Sequence, residues 1–356
     1  MAHFFKNSWK YLGIAIIIYV FTMIFLTPLG PGLESSNAFV ESNGVATIEV
    51  QGYATHFENS PSEIRGFLQC DEGQIIIECS NIDVKSNTIL SLNALMPDTA
   101  PSSSWNLHLS VKNDGALYLP NAIFKKPIVS GTPVDLSFAI QDISNDDFFQ
   151  KDHGFQFPYQ PRIVESIRNL MLHVPMWFTM FLLMGIGFVQ SIKTLKISPN
   201  TMLHDAKALS SIKVGIVFGI LGLVTGSLWA RFTWGAWWVN DPQLNGALVS
   251  VMIYSGYLIL RSSITDASSK ARLSAVYSLF AFVILMVLLM VLPRFTESLH
   301  PGKSGNPAFS KYDLDSSLRL VFYPAVIGWM IIGCWMYKLT LRLELLKEKI
   351  QSKKEH

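Results

Sequence analysis

The 356-residue chain is half hydrophobic, with 12% aromatic and only 15% charged residues. This composition excludes an ordinary soluble domain, in which about a quarter of the residues are charged, and it predicts that most of the chain lies in a lipid bilayer. A formal net charge of +2, with no stretch rich in lysine and arginine, excludes a nucleic-acid-binding protein. The first partner that the sequence predicts is therefore the membrane.

An apolar run over residues 11–28 is long enough to cross a hydrocarbon core of about 30 Å. Lys6 and Lys10 precede it, so the positive-inside rule places the N-terminus in the cytoplasm. A signal peptide is the alternative, because its n-region is also basic, but the run exceeds a usual h-region and residues 36–38 make a poor cleavage site. We therefore predict a cytoplasmic N-terminus and an uncleaved first transmembrane helix in residues 1–28.

Residues 29–167 are polar, with short runs in which hydrophobic and polar residues alternate. A period of two is typical of half-buried strands. The alternating sets are Ala46, Ile48 and Val50; Trp105, Leu107, Leu109 and Val111; and Val134, Leu136, Phe138 and Ile140. The pair Asn43-Gly44 predicts a hairpin turn. We predict an inserted, extracytoplasmic all-β domain, as a β-sandwich in preference to a small barrel.

Two cysteines and three histidines of the inserted domain are candidates for special chemistry. Cys70 and Cys79 could pair if the domain faces an oxidising compartment. His56, His108 and His153 are scattered, with no cysteine or carboxylate at ligand spacing around them. We interpret these histidines as surface residues rather than as a metal site.

Five further apolar runs complete a predicted all-α bundle of six transmembrane helices. They occupy residues 169–192, 214–230, 246–260, 273–292 and 318–339, of which the third is short and needs flanking residues to span. The basic residues around them cluster in three places, Lys193, Lys196, Lys207 and Lys213; Arg261, Lys270 and Arg272; and Arg342, Lys347, Lys349, Lys353 and Lys354. The positive-inside rule places all three clusters in the cytoplasm. The five-helix remainder of the bundle thus covers residues 168–342, and residues 343–356 form a cytoplasmic tail.

One outer connection, residues 231–245, is rich in tryptophan. Trp234, Trp237 and Trp238 have spacings of three and four, which on a helical turn would place the indoles on one side as a flat platform. An interfacial tryptophan belt would explain the enrichment but not this order. Asp241 precedes Pro242 in the pattern of a helix N-cap and first-turn proline, so its carboxylate is a cap, a functional group, or both.

The string Trp-Gly-x-Trp-Trp followed closely by Asp-Pro resembles the WWD signature of the cytochrome c biogenesis haem-handling proteins. Two further pieces match the CcmC branch in order: His173 opens an earlier apolar run in a His-Val-Pro string, and His300 follows a leucine in a later connection. The resemblance extends over residues 169–342, with Asn240 in place of the family's usual third tryptophan. It implies that His173 and His300 are axial ligands of a haem.

These segments deliver two imidazoles, an indole platform and a carboxylate to one membrane face, a set that fits a flat, iron-bearing ligand. We predict a transiently bound, b-type haem whose ring packs against the indoles and whose propionates meet cationic side chains. The outer-face candidates for that role are Arg231, Arg294 and Lys303, each of which could equally be an ordinary charge at a helix end. His173 alone could equally be an interfacial histidine.

The resemblance implies that the protein holds haem at the outer face of the bacterial inner membrane and passes it to a membrane-anchored haem chaperone, together with an ABC transporter complex. The chain has no Gly-x-x-x-x-Gly-Lys-Ser/Thr phosphate loop, so a partner must supply any energy from ATP. We therefore predict a haem-delivery component that is not an enzyme. Two alternatives stay open. One is a haem lyase, or cytochrome c synthase, of the same superfamily, since the inserted domain could bind an apocytochrome. The other is a b-type electron-transfer subunit, in which histidine pairs commonly lie deep in the bundle.

Overall fold

A computed structural model describes residues 2–40, 44–70, 76–96, 104–124, 154–161, 163–196, 198–296, 298–300 and 316–354. Within these residues, six helices are long and apolar enough to cross a membrane, which confirms the predicted number. The chain divides into two compact units. A helical unit comprises Met1–Leu26 and Ser166–His356, and a β unit comprises Thr27–Glu165.

The described strands of the β unit form two four-stranded antiparallel sheets. The strands are β1 (Gly32–Val40), β2 (Val45–Tyr53), β3 (Arg65–Cys70), β4 (Ile76–Glu78), β5 (Ser80–Ser86), β6 (Ile89–Leu95), β7 (Ser104–Val111) and β8 (Gly115–Phe124). One sheet has the order β1-β2-β6-β5 and the other β4-β3-β7-β8. The predicted all-β character of the insertion is therefore confirmed.

Alternating side chains bring both sheets to one hydrophobic core. Ala46, Ile48 and Val50 of β2 are fully buried, as their period of two predicts. The same core holds side chains from both sheets, including Leu90, Leu92, Leu68, Trp105 and Leu107. β1 and β2 pair as neighbours, and Gly44 takes a positive φ of 82° just before β2. Asn43, His153 and the predicted strand at residues 134–140 lie outside the described residues.

The suggested pairing of Cys70 with Cys79 is wrong for this fold. Phe67 lies opposite Glu78 in the β3–β4 ladder, and the Cys79 amide donates to the Gly66 carbonyl at 2.7 Å. Cys70 is thus four residues along β3 from the position beside Cys79, about 13 Å away at the usual rise of a strand. A disulfide requires Cα atoms within about 7 Å. Both side chains are buried.

The helical unit contains seven helices among its described residues. They are α1 (Ala2–Leu26), α2 (Leu170–Leu195), α3 (Thr201–Trp234), α4 (Pro242–Ser263), α5 (Ala267–Met286), α6 (Leu292–Phe295) and α7 (Ser316–Lys354). A π-helical turn, Val287–Val291, joins α5 to the short α6, so these two form one span. α4 gains its spanning length by beginning at Pro242, directly after the Asp241 cap, which is where the predicted short run borrows residues.

Close helix packing fixes the frame of this unit. The side chains of α2, α3, α4 and α5 share one core, which includes Met180, Leu183, Ile212, Phe218, Tyr254 and Leu285. α1 packs on α7, where the Lys10 ammonium lies 5.6 Å from the Trp335 ring and Lys338 lies 4.5 Å from Trp9. Cation–π contacts of this kind stabilise helix pairs at a membrane interface.

Ion pairs join α3, α4 and α7 at the end of the bundle where α3 begins. Arg261 at the end of α4 donates to both oxygens of Asp205 at 2.6 Å, and Lys213 donates to Glu344 of α7 at 2.9 Å. α3 is about 51 Å long, well beyond the roughly 30 Å of a hydrocarbon core, and its two charged partners, Asp205 and Lys213, lie in its N-terminal half. The tryptophan-rich connection follows the opposite end of α3.

Candidate functional site

His173 lies in the first turn of α2 and faces α3. Its Nδ1 lies 3.0 Å from the Gly222 carbonyl oxygen and 3.2 Å from Thr225 Oγ1. A carbonyl only accepts, so Nδ1 carries the proton and donates, and the Nε2 lone pair of the neutral ring is left for another ligand. This arrangement is the one by which proteins orient a metal-binding imidazole.

Glycines of α3 make the room for this imidazole. A Cβ added at Gly226 would come within 2.6 Å of His173 Cε1, and one at Gly222 within 2.8 Å of the Trp177 ring. Trp177 and Trp229 border the imidazole edge-on, with ring centroids 6.4 and 5.8 Å away. A close helix approach through glycines four residues apart is typical of membrane bundles. The spacing of Gly222 and Gly226 was the sequence signal that would have placed α3 against His173.

The tryptophans were predicted to lie on a helical turn, but the connection that carries Trp237 and Trp238 is not helical. α3 ends at Trp234, because Gly235 takes a left-handed conformation with φ of +80°, and residues 235–241 are irregular. The Ser227 hydroxyl donates to the Trp237 carbonyl at 2.7 Å, which folds the connection back along α3. Trp237 and Trp238 remain 59% and 38% exposed, and Trp234 is half-buried. Trp237 and Trp238 are thus presented by a loop, and only Trp234 lies in the helix.

Asparagines brace this loop against α4. Trp238 Nε1 donates to Asn245 Oδ1 at 3.2 Å, and Asn245 Nδ2 donates to Asn240 Oδ1 at 2.8 Å. Asn240, which stands where the family usually has a third tryptophan, therefore has a structural role here. Nothing in the pattern of the sequence pointed to Asn245.

Asp241 joins the tryptophan loop to the connection that carries His300. Its Oδ1 accepts the amides of Gln243 and Leu244 at 2.9 and 3.1 Å and so caps α4, as predicted. Its Oδ2 accepts the Leu299 amide at 2.8 Å. The residue is only 2% exposed. Burial alone would raise the pKa of Asp241, but hydrogen bonds from His300, the Leu299 amide and Ser298 outweigh it and hold the pKa below its usual range.

His300 is held by this carboxylate. Its Nδ1 lies 3.3 Å from Asp241 Oδ1, and its ring meets the Trp234 indole edge-on with centroids 5.3 Å apart. The Ser298 hydroxyl accepts the His300 amide at 3.2 Å. With Nδ1 directed at the carboxylate, Nε2 again remains for another ligand. Asp241, Trp234 and His300 are thus one contact group, while His173 belongs to a second group farther back along α3.

The cationic residues predicted to meet the propionates make fewer contacts than His173, His300 and Asp241 do. Arg231 is exposed in the last turn of α3 and donates to the Gly235 carbonyl. Arg294 is exposed in α6, and it has no ion-pair partner in the part of the chain that the structure describes. Lys303 lies outside the described residues. Neither arginine contacts His173, His300 or Asp241 among the described hydrogen bonds.

The donor set fits haem iron better than a bare metal ion. Among the described residues, no group of three or more histidine, cysteine, aspartate or glutamate side chains could hold a metal. A bare zinc site needs three or four protein ligands, whereas haem iron already has four porphyrin nitrogens and needs only axial ligands from the protein. The two imidazoles whose Nδ1 atoms face protein acceptors, His173 and His300, are the residues that could supply such ligands.

Comparison with known proteins agrees with this chemistry. A family model described as CcmC, heme exporter protein C, matches residues 154–356. The chain is 27% identical over 188 residues to heme exporter protein C of Bradyrhizobium diazoefficiens, covering 52% of this chain and 70% of that protein. It is 30% identical over 138 residues to the Haemophilus influenzae protein of that name, a match that covers 38% of this chain and 54% of that protein. It is 26% identical over 205 residues to the Escherichia coli protein, a match that covers 55% of this chain and 78% of that protein. Most of the β unit precedes the matched residues. Since the matched segment exceeds half of the chain, this protein belongs to the CcmC family of heme exporter protein C.

Proposed function

We propose that this protein transiently carries one b-type haem between His173 and His300 and serves cytochrome c maturation by passing the haem to a haem chaperone. Its relatives are named heme exporter protein C, so haem is the cargo rather than a resident cofactor. One observation carries the proposal: each imidazole directs Nδ1 at a protein acceptor, Gly222 for His173 and Asp241 for His300. Both Nε2 atoms are then oriented as iron ligands before haem arrives.

The other residues of the site have separate roles in this proposal. Trp234, Trp237 and Trp238 pack against the porphyrin, which their partial exposure permits. Arg231 and Arg294 are both exposed and would pair with a propionate that faces outward. Asp241 acts on haem through His300, whose ring it orients. Haem supplies the redox-active iron, and the chain supplies its orientation and partial exposure at the membrane surface.

The exposed indoles make the site suited to handing haem on rather than keeping it. A resident haem is usually enclosed, since burial of its faces contributes most of its affinity. Here the tryptophan loop leaves Trp237 and Trp238 accessible from outside the bundle. A haem chaperone would approach this side. An ABC transporter complex is the partner that hydrolyses ATP, because this chain has no phosphate loop.

We further propose a multi-pass protein of the bacterial inner membrane with both termini in the cytoplasm and a periplasmic β-sandwich. The charged cluster of Asp205, Arg261, Lys213 and Glu344 lies at the end of α3 opposite the tryptophan loop, and the positive-inside rule assigns that end to the cytoplasm. Contacts between α1 and α7 support an uncleaved α1. Two sheets over a common core support a sandwich.

Labelling of single cysteines tests this orientation. In a variant without native cysteines, an impermeant maleimide added to intact spheroplasts should label Gln243→Cys but not Lys207→Cys or Lys349→Cys. Permeabilisation should expose the latter two. Labelling of Lys349→Cys from the outside would contradict the proposed orientation.

The b-type electron-transfer alternative has less support. Such a subunit would need a histidine pair within the bundle, yet His204, the histidine of α3, lies in the first turn of that helix and contacts Gln190 at 2.8 Å. Among the ring contacts and hydrogen bonds of the described residues, no two histidines of the helices are paired. A haem lyase would differ only in passing the haem to an apocytochrome. An assay of whether the purified protein attaches haem covalently to an apocytochrome distinguishes the two functions.

Imidazole rescue tests the assigned roles. His173→Ala and His300→Ala should each weaken haem binding, and added imidazole should restore the low-spin spectrum, because it replaces the missing ligand. A Trp237→Ala/Trp238→Ala variant should lose affinity without a change of coordination, and imidazole should not rescue it. His204→Ala is the matched control and should behave as the wild type. Rescue of the tryptophan variant alone would overturn the assignment.

A further inference from the structure

We infer that Trp229 Nε1 and Thr233 Oγ1 form a carboxylate-binding pair that receives one propionate of the haem inside the bundle. This inference rests on the proposed function and names two residues that neither the WWD motif nor the histidines indicate. Both atoms are buried and have no hydrogen-bond partner in the part of the chain that the structure describes.

The Thr233 hydroxyl does not bond to its own helix, as several other hydroxyls of the helical unit do. Thr225 donates to the Leu221 carbonyl at 2.8 Å and Ser250 to the Gly246 carbonyl at 2.7 Å, in each case four residues earlier. Thr233 makes no such bond, although the Trp229 carbonyl is in the equivalent position. Its hydroxyl therefore lacks a partner among the described residues. Among the described residues, the buried hydroxyls of Thr179, Ser191, Ser274 and Ser278 are unpaired like that of Thr233.

The two donors lie on α3 between the residues that contact His173 and the residue that contacts His300. Trp229 and Thr233 are four residues apart and so share one face of α3. That face also holds Gly226, which faces the His173 ring, and Trp229 itself borders that ring. One residue beyond Thr233, Trp234 contacts His300. The donors thus occupy the stretch of α3 between the groups that hold the two candidate ligands.

The chemistry of the pair selects a carboxylate. An indole N–H can only donate, and a hydroxyl can donate, so together they suit an acceptor with two oxygens. The propionates are the strong hydrogen-bond acceptors of a haem. Buried donors that lack a partner destabilise the haem-free protein, whereas bonds to an ionised carboxylate are the stronger kind. The second propionate would then face the exposed arginines.

Two porphyrins distinguish this role from simple packing. Haem and iron etioporphyrin, whose substituents are all alkyl, are titrated into purified protein in detergent. Thr233→Val and Trp229→Phe should each weaken haem binding by roughly tenfold or more, as loss of a bond to a charged acceptor does, and leave etioporphyrin binding nearly unchanged. Thr233→Val should also raise the melting temperature of the haem-free protein by roughly 2–4 °C, because it removes an unpaired hydroxyl.

Matched controls come from the same bundle. Thr179 Oγ1 and Trp329 Nε1 are also buried without a described partner, but Trp329 packs against Phe21 and Phe218 rather than a histidine. Thr179→Val and Trp329→Phe should leave the ratio of the two affinities unchanged. Equal losses for both porphyrins, or no loss for haem, would overturn the inference alone. Wild-type protein that bound neither porphyrin would overturn the proposed function, and the inference with it.

Discussion

Replacement of Asp241 by serine should separate its two contacts, the α4 cap and the His300 tether. Serine keeps a short side-chain oxygen that can accept from the first turn of α4, so capping is largely retained. Its single oxygen, used in place of Oδ1 for the cap, cannot also accept the Leu299 amide that Oδ2 accepts at 2.8 Å, and the substitution removes the negative charge that lies 3.3 Å from His300 Nδ1. The lost bonds to a charged acceptor correspond to about 1.5–3 kcal/mol, and Leu299 is exposed enough that water would restore part of this.

This loss should appear in haem binding more than in global stability. A loss of that free energy lowers the population in which His300 is correctly placed. The apparent haem affinity then falls by roughly ten- to hundredfold. Haem titration of the purified protein in detergent measures the effect. Imidazole should recover most of the low-spin spectrum, because the variant keeps the side chains that pack on the porphyrin and lacks only a well-placed axial ligand.

Asp266 provides the matched control. It caps α5 by accepting the Ser269 amide at 2.7 Å, and no histidine is among its described contacts. Asp266→Ser should therefore change haem affinity little. If Asp241→Ser and Asp266→Ser behaved alike in the titration, the tether would have no role in haem binding.

The tether should also tolerate mild acid. The folded-state pKa of Asp241 is depressed, so its contribution to stability is fully present above the ordinary aspartate pKa of about 3.9 and is lost only as the pH falls through the lower folded value. Protonation of Asp241 therefore plays no part in any weakening of haem binding near pH 5. Hydrogen exchange at the Leu299 amide tests this. If the amide lost its protection near pH 5 in the wild type, and Asp241→Ser showed no such pH-dependent loss, the expected acid tolerance would be contradicted.

Two further predictions concern buried groups. Gly226→Ala should weaken haem binding strongly, since its Cβ would lie 2.6 Å from His173 Cε1. Gly185→Ala is the control and should bind haem as the wild type does, because its Cβ would meet nothing closer than 4.0 Å. Equal haem titrations of the two variants would contradict the packing of His173 on Gly226. Cys79, whose pKa burial and the neighbouring Glu78 raise to about 12, should resist alkylation at pH 8 in the folded protein. After unfolding without reductant, mass spectrometry should find both Cys70 and Cys79 alkylated, and an unreactive pair would reveal a disulfide.

The sequence predicted what periodicity and composition control. Six apolar runs became six spanning helices, and alternating residues such as Ile48 and Val50 became buried strand positions. The Asp241 cap followed from the Asp-Pro pair, because capping depends on local chain geometry. These features depend only on residues that are close in the sequence, so they can be predicted from one sequence by itself.

What the sequence could not supply depends on contacts between distant segments. The acceptors of His173 Nδ1 are set by the register of α2 on α3, and the distance between Cys70 and Cys79 is set by the β3–β4 ladder. The tryptophans were expected on a helical turn, but Gly235 ends α3 through a backbone conformation that glycine permits and does not require. Trp229 could not be singled out, because one tryptophan within an apolar run carries no signal of its partner.

The most direct measurement is the optical and electron paramagnetic resonance spectrum of the protein purified in detergent from haem-replete cells. We expect one low-spin haem per chain with bis-imidazole character, and its loss from the His173→Ala/His300→Ala double variant, which should still insert as six helices. Colourless wild-type protein, or a double variant that retained the parental spectrum, would contradict the proposal that these two histidines hold the iron.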